Sequence, residues 1–130
     1  MLMKLLVAPI LAVLVLLSGC ATLPPQEQIA SLDYGSPPQN YEATIKKYFD
    51  KVLFDPYSAR YDFEPPQQYW VKDPPLMGGK LYAGYLVRTS VNAKNRMGGY
   101  VGRQMYGFII KDERITKVLE EFELRNMRTR

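Results

Sequence analysis

The sequence predicts an α+β domain, with one N-terminal helix packed on a small antiparallel β-meander. Three observations predict it. Tyr41, Ile45, Tyr48, Phe49 and Val52 recur at spacings of three and four, which places them on one face of a helix. Leu81 to Ala93 alternates, with Leu81, Ala83, Tyr85, Val87, Thr89, Val91 and Ala93 on one face and Arg88, Ser90, Asn92 and Lys94 on the other. Short apolar runs then follow one another with only glycine-rich or charged turns between them, which leaves antiparallel pairing as the economical connection.

The helix starts after Asn40, a residue suited to an N-cap, and stops before Pro56, which pushes Asp55 out of the helical region. Ser58 to Phe63 alternates as a first strand. The stretch "EPPQQYWVKDPPLMGG" reads as a loop with one short extended piece, Tyr69 to Lys72, because its four prolines exclude a central strand. Trp70 in that loop is expected to lie as a lid on the core. Leu81 to Ala93 and Tyr100 to Ile110 form a hairpin, and apolar residues on both faces of the second strand make it a central one. Lys111 to Arg114 is a charged turn, and Ile115 to Leu119 is the next strand. Residues 121–130 read as a polar tail or a frayed last helix. One face of such a sheet would carry the helix, and the other could remain wet.

Upstream of this domain the chain changes character. Leu5 to Leu17 is apolar throughout, follows a start with one positive charge at Lys4, and is short of the roughly 20 residues a spanning helix needs. That is the pattern of a secretory signal peptide over residues 1–19. The run ends in Leu17-Ser18-Gly19-Cys20, which resembles the lipobox of bacterial lipoproteins. The resemblance implies that the chain is cut before Cys20 and that the Cys20 thiol carries a diacylglycerol. It further implies that Ala21, standing where an aspartate would hold the protein at the inner membrane, sends it to the outer membrane with the domain facing the periplasm. Cys20 is the one cysteine of the chain, so no internal disulfide can form, and an exported lone thiol would be reactive. Two or three acyl chains make a stable anchor where one makes a marginal one.

Residues 20–39 carry the lipidated cysteine and a segment rich in proline, glutamine and serine, which reads as a linker to the domain at residues 40–120. Ile29, Leu32 and Tyr34 leave a second reading open, in which part of that segment packs on the domain as an arm.

Composition narrows the chemistry. The formal charge is +4 and falls to about +3 without Lys4, too mild to point to nucleic acid. The chain has no histidine, which removes the commonest metal ligand and general base, and with Cys20 acylated no thiolate remains for zinc. No metal or cofactor is expected. Asp50, Asp55, Asp62, Glu64 and Asp73 could in principle supply paired carboxylates, but nothing in their spacing fixes a pair, and no serine sits in a nucleophile motif. An enzyme is not expected.

The stretch "VNAKNRMGGYVGRQMYGF", Val91 to Phe108, looks at first like a phosphate-binding loop. It lacks the Gly-Lys-Ser/Thr ending and is followed by a strand rather than a helix, so it reads as a hairpin end with Gly98 and Gly99 supplying positive φ. Gly84, Gly102 and Gly107 lie inside the strands and suggest bulges or close backbone approach. Lys94, Arg96, Tyr100 and Arg103 cluster at the hairpin end. They read either as a solvated tip or as a contact surface for an envelope partner, an acidic protein, lipopolysaccharide phosphates or peptidoglycan carboxylates, and they are the candidate partner-binding residues. Together with "DPYSARYDF" (Asp55 to Phe63), this hairpin resembles a group of small exported bacterial proteins of unknown function, with an Asp-Pro-x-Ser-Ala-x-Tyr segment and an Asn-Ala-Lys-Asn…Gly-Gly-Tyr-x-Gly hairpin. The resemblance implies no activity. The functional expectation is a lipid-anchored accessory subunit of an envelope assembly or secretion complex. The alternative is an inhibitor or immunity protein that inserts the hairpin into an acidic cleft of a cell-wall hydrolase.

Overall fold

The computed structural model describes residues 26–127; the signal segment and Cys20 lie outside them. Contacts divide the chain into two units between Ser31 and Leu32. In the first, α1 (Gln26–Ala30) is a single short helix, closed by Ser31, whose hydroxyl donates to the Gln28 carbonyl.

The second unit is α+β, with a five-stranded antiparallel sheet and helices. After α2 (Tyr41–Val52) come β1 (Asp55–Phe63), β2 (Gln67–Lys72), β3 (Leu81–Lys94), β4 (Gln104–Lys111), β5 (Arg114–Glu120) and α3 (Glu121–Met127). The order across the sheet is β1-β3-β4-β5, with β2 also on β3. β1 pairs with Thr89 to Lys94 and β2 with Leu81 to Leu86, so the two are consecutive pieces of one track along a single edge of β3. Glu64 N–H still donates to the Arg88 carbonyl between them. Pro65 and Pro66 interrupt that track without destroying it, because an outer strand tolerates prolines that a central strand would not. The extended piece expected at Tyr69 to Lys72 is thus a paired strand beginning at Gln67, and Trp70 sits half-buried on it.

Alternation along β3 and β4 builds two cores, one on each face. On the first, Ile45 and Phe49 of α2 meet Val87, Val91, Phe108 and Ile110. On the second, Leu124 of α3 joins Leu86, Ile109 and Leu119, with Tyr69, Val71, Tyr82 and Met105 around them. The second face is therefore covered rather than wet, and Glu121–Met127 is a helix rather than a polar tail. Gly107 is what lets α3 lie so close: a Cβ there would stand 2.7 Å from Leu124 Cδ2 and 3.0 Å from Leu86 Cδ1. Three α-helices are described, α1, α2 and α3.

The start of α2 is tied down from a distance. Asn40 makes no side-chain cap. Instead the Glu113 carboxylate accepts from Gln39 N–H (2.6 Å) and Asn40 N–H (3.2 Å). Glu113 and Asp112 form the two-residue β4–β5 turn with both φ values positive, the geometry that matches strand twist. The same turn region holds the segment before α2: Lys111 Nζ bonds the Asp33 carbonyl and carboxylate, each at 2.9 Å, and Pro38 is buried. From Leu32 onward, the arm reading of this segment holds.

One polar group stands out in the first core. Thr89 is fully buried, and its hydroxyl has no hydrogen-bond partner. Thr89→Val keeps the shape and removes that uncompensated hydroxyl, so it is expected to raise stability by about 1 kcal/mol, read as a higher urea midpoint at unchanged slope.

Candidate functional site

β3 runs on to Lys94, and the hairpin then turns at Asn95 to Gly98, where Gly98 N–H donates to the Asn95 carbonyl. The Asn95 side chain stiffens the turn by accepting from Met97 N–H (2.9 Å) and Gly99 N–H (3.2 Å). β4 regains regular pairing only at Gln104, not at Tyr100, because Gly102 stands at φ +95 and breaks the extended run. Tyr100 keeps a single bridge to Lys94. Of the two tip glycines expected to adopt positive φ, Gly98 does and Gly99 does not.

The four candidate residues do not act as a unit. Tyr100 folds back over β1: its hydroxyl donates to the Ser58 carbonyl (3.1 Å), and its ring lies between the Arg60 guanidinium (4.4 Å) and Lys94 Nζ (5.6 Å). Arg96 stacks on Phe54 at 5.5 Å. Arg103 turns away to an exposed ion pair with Asp62 at 3.3 Å, a contact of little energetic weight. Lys94, Arg96 and Tyr100 thus belong to one surface and Arg103 to its rim.

Sequence spacing missed Phe54, Tyr57 and Arg60, which complete that surface. They arrive through the register Asp55↔Lys94, which sets the start of β1 beside the end of β3. The pairing is locked by Ser58, whose hydroxyl donates to the Asp55 carbonyl and accepts from Lys94 N–H, both at 2.8 Å. Among the described residues, ten large apolar side chains are exposed. Six of them, Val52, Phe54, Tyr57, Met97, Tyr100 and Val101, lie at this end. Such a concentration marks a contact surface, whereas scattered exposed apolar residues need no explanation. Arg60, Lys94 and Arg96 face aromatic rings and have no carboxylate partner among the described residues, so their charge is free to meet an anion.

The carboxylates do not converge. Asp55 accepts from Ser58 N–H, Asp62 pairs with Arg103, and Glu64 pairs with Arg88 at 3.5 Å. Among the described residues, no group of three or more acidic, histidine or cysteine side chains is placed to hold a metal ion, and no helix is long and apolar enough to cross a membrane.

Asp73 has a structural partner instead. Lys117 Nζ donates to it at 2.8 Å, and this bond holds the Asp73 carboxyl below, and the Lys117 ammonium above, their ordinary ranges. The depressed carboxyl contributes stability at pH above the ordinary aspartate range and loses it as pH falls through the lowered value. The raised lysine contributes below the ordinary lysine range and loses it as pH rises through the raised value. Denaturant midpoints are therefore expected to fall more steeply with acid for the wild type than for Asp73→Asn. Parallel acid limbs would show that the pair contributes nothing.

No protein-family model, curated protein or solved structure matches this chain.

Proposed function

We propose that the chain is a lipid-anchored lipoprotein of the bacterial envelope, held through Cys20 at the periplasmic face of the outer membrane. It acts there by contact rather than catalysis, as a binding or structural accessory subunit of an envelope assembly or secretion complex. The domain, read as a helix-backed meander, is a stiff mount for its contact surface. The observation that carries this reading is the end of the β3–β4 hairpin, where exposed apolar side chains and unpaired cations are gathered beside the start of β1. The alternative of a finger inserted into a hydrolase cleft draws no support from Tyr100, which lies back on β1.

Two measurements test the reading. Wild-type protein is expected in the outer-membrane fraction, and Cys20→Ser is expected to lose the lipid-dependent mobility shift and that fractionation. An unchanged distribution and mobility would remove the lipid anchor from the proposal. A photo-cross-linking residue at position 97 is expected to give adducts, with protein or with lipid, in living cells, whereas one at position 76, equally exposed at the other end of β3, is not. Equal silence at both positions would remove the contact surface.

A further inference from the structure

The shape and chemistry of the hairpin end select the class of surface it meets. At this end Tyr57 and Met97 (95 % exposed) project into solvent. Against a rigid partner these protruding side chains would need a matching cavity. A fluid interface accepts them without one. The composition fits such an interface: aromatic and aliphatic groups project outermost, while Arg60, Lys94 and Arg96 lie beside them with long apolar stems and unpaired charges. The charges are positive, which complements an anionic lipid surface and opposes a cationic one.

We infer that the hairpin end docks on an anionic phospholipid bilayer, with Met97, Tyr57 and Phe54 entering the headgroup boundary and Arg60, Lys94 and Arg96 meeting lipid phosphates. The inference rests on reading this end as the contact surface. Docking of this kind constrains which way the domain faces, because Phe54, Tyr57 and Arg60 of the contact surface lie in or beside β1, which pairs with β3. An accessory subunit so oriented would present its remaining surface to the assembly it serves.

The test uses the full chain carrying Cys20→Ser and Met97→Cys, so that its one thiol lies at the tip. A second full chain carries Cys20→Ser and Leu76→Cys. Each is labelled with an environment-sensitive fluorophore and mixed with vesicles of phosphatidylcholine alone or with phosphatidylglycerol added. The label at position 97 is expected to shift to the blue and be quenched by spin-labelled lipid in the anionic vesicles only, and the label at position 76 in neither. The shift is expected to decline as salt is added, a readout that needs no further variant. Lys94→Gln with Arg96→Gln is expected to lower the docked population roughly fivefold per charge removed. Equal responses at 97 and 76, or equal responses in neutral and anionic vesicles, would overturn the inference. A silent label at 97 alongside protein cross-links from that position in cells would overturn bilayer docking and leave the contact reading standing; silence in both would remove both.

Discussion

Phe49→Ala is expected to cost about 3–5 kcal/mol, the range for truncating a fully buried aromatic residue. Phe49 is the side chain through which α2 holds the sheet. Its ring centroid lies 5.2 Å from Tyr106, 5.3 Å from Tyr48, and 5.6 Å from both Phe108 and Tyr61. Three of these pairs are edge-to-face, the geometry in which the positive edge of one ring meets the negative face of another. Truncation loses the transfer energy of the ring and leaves a cavity bounded by other rings, which are too stiff to collapse into it. Since domains of this size are stable by only about 5–15 kcal/mol, the loss takes a large share of the total. A fall in melting temperature on the order of 20 °C follows. Phe122→Ala provides the contrast: it too is a helical phenylalanine, but it is 74 % exposed, and its loss is expected to stay within about 0.5 kcal/mol. A similar cost for both would mean that α2 is not seated on the sheet as described.

What the sequence made legible was periodicity, and what it hid was pairing. The residues of α2 that meet the sheet, Ile45 and Phe49, belong to the stripe of three-and-four spacing, and the alternation of β3 sorts Val87 and Val91 onto the buried face. From sequence β2 reads only as a short extended piece within a loop, and its pairing stays hidden, because prolines argue against a strand only when the strand is central, and centrality is a fact about neighbours. From sequence α3 stays open between a polar tail and a frayed helix because seven residues with one buried leucine carry no period. Its trace lay instead in β4, where Gly107 leaves the space that Leu124 fills. The contact surface divides in the same way. Lys94, Arg96 and Tyr100 are local to one loop and could be read together. Arg60, Phe54 and Tyr57 join them only through the register of β1 on β3, and Arg103, just before β4, leaves them for Asp62 of β1 on the far side of β3. Local sequence specifies what each strand exposes; the register decides which exposed residues become neighbours.

Gly84→Ala is expected to be the most damaging single-methyl addition in the sheet, with a cost at or above the upper end of the roughly 1–3 kcal/mol typical of overpacking. A Cβ at Gly84 would stand 2.6 Å from the Ile110 carbonyl oxygen and 3.1 Å from its carbonyl carbon. The obstacle is backbone, which has no rotamer to change. Moving it would disturb the ladder in which Tyr85 pairs with Ile110 and Gly84 itself pairs with Tyr69 on the other side. Ile110 cannot retreat freely either, because it is fully buried in the first core and stands beside the irregular register where β5 meets β4. The clash therefore reaches β2, β3, β4 and β5 together, and relief in one ladder strains the next. Gly99→Ala separates this effect from the ordinary change in chain entropy. Its φ is not positive, the nearest atom to its Cβ is the Asn95 side-chain oxygen at 3.9 Å, and it is expected to be neutral or slightly stabilising. Urea unfolding of the two variants beside wild type reads the difference directly. If Gly84→Ala unfolded at the wild-type midpoint, β3 and β4 could not approach as closely as the structure places them.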